Sequence, residues 1–197
     1  MSLALEYVTG QTGYMIHRFP CGTLALDFVG TLRVRRNDEP TEKLTQPSDL
    51  DAWFSESGML DVATSASASD LANAIELREA IYALAYARVT GGELPADAAA
   101  TVATYAAELP VSVALAGGRL ERSGSVPQGL ASLARETIEL VGGPNAGLLR
   151  ECSRDECTQV YLDTSRGHRR DWCSMKTCGN RVKASKFRAR QAAATAA

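Results

Sequence analysis

Two cysteine pairs near the C-terminal end place the tightest constraint on this chain. Cys152 and Cys157 enclose four residues, fifteen follow, and Cys173 and Cys178 enclose four more. Each pair can supply two sulfurs from one turn of backbone, and the intervening segment is long enough to fold back and bring the pairs together. That pattern suits a tetrahedral thiolate site for a divalent ion, zinc before others. Four cysteinates at about 2.3 Å fill the ion's shell and leave no position for water, so such a site is structural and not catalytic. A segment this small buries too little apolar surface to fold unaided, so the ion supplies its stability. Tyr161, Leu162 and Trp172 are its few large apolar groups, and Thr164–Gly167 suits the tip of a hairpin between the pairs. The fifth cysteine, Cys21, stands alone and reads as a small buried hydrophobe.

Gly179-Asn180-Arg181-Val182-Lys183-Ala184-Ser185-Lys186-Phe187-Arg188-Ala189-Arg190 follows the last cysteine. It predicts a helix with five cations and no acid, anchored at its start by a metal ligand. Residues 150–190 hold 11 of the 21 Lys+Arg but 5 of the 23 Asp+Glu, a local surplus of six in a chain whose net charge is −2. A basic tail on an acidic body predicts an anionic partner for the tail. The candidate nucleic-acid contacts are Arg166, Arg169, Arg170, Arg181, Lys183, Lys186, Arg188 and Arg190. A competing expectation is that the basic helix docks on the chain's own acidic body.

The body, residues 1–143, reads as mainly helical. Residues 3–19 suggest a hairpin and Leu24–Val29 a helix. A charged loop spans 33–47, and Ser48 is the expected N-cap of a short helix carrying Leu50, Trp53 and Phe54. Asp70 is the expected cap of a long helix over 71–89 with Leu71, Ala74, Ile75, Ile81, Tyr82, Ala85 and Val89 on one face. Arg78 falls near the middle of that face. A guanidinium cannot stay unpaired in a core, so either Asp27, the one charge in its own apolar run, pairs with it, or the two belong to a pocket for a small anionic ligand. An alanine-rich helix follows Pro95. A Gly117-Gly118 turn predicts a hairpin, and a helix from Pro127 places Leu130, Leu133, Ala134, Thr137, Ile138 and Val141 together until Gly142-Gly143-Pro144 ends it. With two histidines, a closed metal shell and no phosphate loop or nucleophile elbow, the expectation is not an enzyme. No signal peptide or membrane-length apolar run is evident, so a cytoplasmic protein is expected.

Residues 148–190 resemble the CGNR zinc-finger family, named for the tetrapeptide that stands here as Cys178-Gly179-Asn180-Arg181. The resemblance extends through Tyr161-Leu162-Asp163-Thr164-Ser165 and Arg169-Arg170-Asp171-Trp172-Cys173-Ser174-Met175. The body is similar to the ABATE domain that precedes this finger in bacterial proteins, on Leu26-Asp27-Phe28-Val29-Gly30-Thr31 and Leu77-Arg78; Gly30 stands where that family has Asn. The resemblance implies a stress-induced transcription regulator whose finger binds DNA. Asn180 is expected to hydrogen-bond the knuckle. Arg181 is expected either to contact phosphate or a guanine edge, or to brace Asp163 or Asp171.

The expected architecture is therefore mainly α with small β-hairpins (α+β). A helical domain over 1–143 senses a small ligand or forms a homodimer, and a treble-clef-like zinc finger with a basic helix occupies 144–197. The rival reading is a zinc-stapled protein-interaction module that does not bind nucleic acid.

Overall fold

The computed structural model describes residues 15–195 and contains six α-helices and three two-stranded antiparallel ribbons. The hairpin expected over 3–19 falls mostly outside those residues. The core forms where α1 (Leu24–Val29), α2 (Pro47–Glu56), α3 (Ala68–Thr90), α4 (Ala96–Ala106) and α5 (Val126–Gly142) meet. The short α1 is buried on nearly all sides, which is why its sequence shows no period. Thr23 caps it, and the Glu136 carboxylate on α5 accepts the Ala25 N–H at 2.6 Å.

Caps lie slightly upstream of the expected positions. Ser67, not Asp70, caps α3, and Asp70 closes the box from the third helical position. Likewise Gln46 precedes α2 with Pro47 in its first turn; the Asp49 carboxylate accepts the Thr45 and Gln46 N–H groups, and Ser48 is already helical. The buried face of α3 centres on Leu77, Ile81 and Leu84, with Ile75 and Tyr82 at its margins. On α5 Leu140 is inside and Ile138 outside. Gly143 ends α5 in an extended conformation instead of a left-handed one. The hairpin of β3 (Ser112–Ala116) and β4 (Arg119–Ser123) forms as expected, with Gly117 and Gly118 both at positive φ.

Within the 33–47 segment, β1 (Leu32–Arg33) and β2 (Thr41–Glu42) pair, and the intervening arginines pin it to α3. Arg35 lies 4.2 Å over the Tyr82 ring, and Arg36 lies 5.3 Å over Tyr86. Here the expected Arg78–Asp27 pair is corrected. The Arg78 guanidinium gives two parallel bonds to Glu42, at 2.6 and 2.8 Å, and one to Glu79 at 2.8 Å. Glu42, at the end of β2, reaches Arg78 with both carboxylate oxygens, whereas Asp27 accepts the Cys21 N–H at 2.8 Å. The third strand pair of the α+β pattern lies at the C-terminal end: β5 (Leu149–Glu151) and β6 (Val160–Leu162) pair in register Arg150↔Tyr161. The core runs unbroken from the helices into these strands and the four cysteines. Leu162 N–H donates to the Cys21 carbonyl at 2.8 Å, tying β6 to the start of α1.

Candidate metal centre and basic helix

Cys152 leaves β5, and the loop from Cys152 to Cys157 is a tight turn closed by Cys157 N–H to the Arg154 carbonyl at 2.7 Å. Cys173 precedes, and Cys178 lies within, a π-helical turn, Met175–Gly179, that runs straight into α6 (Asn180–Thr195). The hairpin therefore encloses the first pair, not the stretch at Thr164–Gly167. That stretch instead closes around the buried Asp163, whose carboxylate accepts the Ser165 and Arg170 N–H groups.

All four Sγ atoms are buried and lie within 4.8 Å of one another. Cys157–Cys173, Cys178–Cys157 and Cys173–Cys178 are separated by 3.9, 3.7 and 3.6 Å. A disulfide would need about 2 Å. A tetrahedron with about 2.3 Å metal–sulfur bonds has edges of about 3.8 Å, so the donor set fits a tetrathiolate-bound ion. Hydrogen bonding from Cys157 lowers the Cys152 thiol, and bonding to Cys152 in turn pushes the Cys157 thiol up to about 12 and Cys173 higher still. A divalent cation reverses the upward shifts by stabilising all four thiolates together.

The residues around the sulfurs make the shape permanent. Gly179 is buried, and a Cβ there would lie 2.5 Å from Met175 Sδ and 3.3 Å from the Trp172 ring, so a larger residue would have to displace the Met175 side chain. Arg170 donates to the carbonyls of Trp172 at 2.7 Å, Pro20 at 2.9 Å and Cys173, with its guanidinium 4.6 Å over the Tyr161 ring. Its Nε and Nη2 groups are thereby held by backbone carbonyls of the finger and of Pro20 in the body, which corrects its assignment as a free nucleic-acid contact. Asp163 is likewise taken, which removes one of the two braces expected for Arg181. Asn180 reaches back to the Lys176 carbonyl, at a long 3.5 Å, as expected for a knuckle residue.

The structure does not lay α6 on the acidic body. From Arg181 to Ala194 every side chain is exposed except the half-buried Val182. Arg181, Lys183, Lys186, Arg188 and Arg190 form no ion pair among the described residues, and Arg166 and Arg169 are exposed nearby. Gly30, where the resembled family has Asn, sits against the finger: a Cβ there would meet Gln159 Oε1 at 2.5 Å. The Gln159 side chain fills that space and accepts from Cys21 Sγ at 3.3 Å. Nothing in the sequence pattern pointed to this exchange, because residues 30 and 159 meet only through the tertiary fold.

Residues 22–144 match the ABATE family model, described as "Putative stress-induced transcription regulator". The chain belongs to the ABATE family. Residues 149–191 of this ABATE protein match the CGNR zinc finger, in the order that the resemblance implied. No curated protein matches the chain. Both families are of regulator and zinc-finger type, and among the described residues no helix is long and apolar enough to cross a membrane.

Proposed function

We propose that this ABATE protein is a transcription regulator whose finger, closed by zinc on Cys152, Cys157, Cys173 and Cys178, presents α6 to DNA. The observation that carries the reading is the exposed, unpaired charge of α6. At about 3.6 residues per turn, Arg181 and Arg188 share one flank of the helix, and Lys183, Lys186 and Arg190 share the opposite flank. Between the flanks runs a strip of Asn180, Ala184 and Phe187, with the Phe187 ring exposed. A helix charged on both flanks with a small and apolar strip between them fits a major groove: phosphates line both walls and base edges, including thymine methyls, form the floor. Arg166 and Arg169 add backbone contacts beside it.

Zinc here is a structural ion. The four thiolates hold it, Gly179 and Arg170 shape the turn around it, and the ion's chemistry is to lock the direction of α6. The body, residues 1–143, regulates, and the finger, 144–197, binds, in a cytoplasmic protein. The test is selection from a random DNA pool with zinc-loaded full-length protein, repeated after chelation. Enrichment of a motif that disappears with the metal supports the reading. Absence of enrichment, with capture of an acidic protein instead, would establish the interaction-module alternative.

A further inference from the structure

A cavity of about 680 Å³ lies between the helical body and the finger, lined by residues of both. Its size suits a small organic molecule. Six cations line it: Arg18, Arg33 and Lys43 from the body, and Arg154, Lys176 and Arg181 from the finger. Among the described residues Asp27 is the one carboxylate in the wall. A zinc tetrathiolate has two net negative charges, and three of its four cysteines, Cys157, Cys173 and Cys178, form part of the same wall. Six cations against those two charges and Asp27 still leave three in excess. Only Arg154 has an ion-pair partner among the described residues, Glu156 at 3.7 Å.

A second observation is independent of charge. The donors Trp53 Nε1 and Gln159 Nε2 and the ring nitrogen His17 Nε2 are buried without a hydrogen-bond partner among the described residues, and all three residues line this cavity. Buried polar atoms without partners are uncommon in a folded chain, and each costs free energy unless something satisfies it. Met15, Phe19 and Trp53 give the same cavity an apolar wall.

We propose that this cleft is a binding site for a small organic anion carrying at least two negative charges, whose charged groups bridge the body's arginines to the finger's. Excess cations from both sides repel one another while the cleft holds no anion, so an anion draws the two walls together. On the DNA reading above, Arg181 serves both the cleft and α6, and occupancy lowers DNA affinity. The experiment is run without DNA, so its failure is separate from failure of that reading.

The zinc-loaded full-length chain is titrated calorimetrically with pyrophosphate and with glutarate, and its thermal midpoint is followed in parallel; the two probes distinguish a phosphate from a carboxylate headgroup. The expected result is a dissociation constant below about 1 mM for one probe, with a rise in midpoint. Arg33→Glu and Arg181→Glu should each weaken it roughly tenfold or more with zinc retained, and Lys186→Glu should leave it unchanged. The proposal is overturned if neither probe gives heat or a midpoint shift at millimolar concentration. Equal weakening by Lys186→Glu would overturn it too, since diffuse surface charge would then explain the binding. So would binding that appears only after residues 1–14 are removed, because the cleft would then belong to the chain's own leading segment.

Discussion

The two-flank arrangement of α6 makes a quantitative prediction for the salt dependence of DNA affinity. Each neutralised phosphate contributes about −0.9 to the slope of log K against log salt. If the helix lies along one strand by a single flank, Lys183, Lys186 and Arg190 set its share of the slope near −2.7. Raising salt from about 50 to 200 mM then weakens binding about 40-fold through α6. If the helix enters the groove with both flanks engaged, its five cations set its share of the slope near −4.5, and through α6 alone the same change in salt weakens binding about 500-fold, Arg166 and Arg169 adding the same amount to both cases. Fluorescence anisotropy of a labelled duplex across that range separates the two. Replacing Arg181 and Arg188 by Gln removes two contacts and should return the share of α6 to about −2.7, with the fold and zinc content intact because both side chains are exposed and unpaired. A wild-type slope near zero would refute phosphate neutralisation. A slope in the two-flank range that the double variant leaves unchanged would refute the placement of these two arginines.

Two further predictions concern the body. Glu42→Gln removes the bidentate one of the two charged partners of Arg78, a guanidinium with 2 % exposure, and should cost about 3 kcal/mol in urea unfolding; a loss under 0.5 kcal/mol would show that Glu79 alone satisfies Arg78. Asp27 has its carboxyl pushed up to about 7, chiefly by burial and against the hydrogen bond from Cys21. The folded state therefore holds a proton that the unfolded chain releases near pH 4, and stability falls as pH rises from about 4 to 7 by at most about 4 kcal/mol. Asp27→Asn should erase that contribution, so its stability relative to wild type rises across the same window and levels off above it. A wild-type-minus-variant difference independent of pH would refute the burial argument.

The sequence alone determined the features that depend on local chemistry. The cysteine spacing specified which four sulfurs converge, since each pair needs only one turn of backbone to present them. The run after Cys178 specified a cationic helix, and Gly117-Gly118 specified a hairpin turn. All of these depend on residues a few positions apart. Tertiary structure decided the rest. Arg78 needed an acid, and the fold supplied Glu42 instead of Asp27, because which carboxylate lies above a helix depends on where the connecting loop crosses it. Arg170 and Arg181 look alike in the basic tail, yet one is locked between three carbonyls and an aromatic ring while the other faces a cleft. That cleft was invisible beforehand: its cations are spread from residue 18 to residue 181, and only packing the finger against α1 and α3 gathers them.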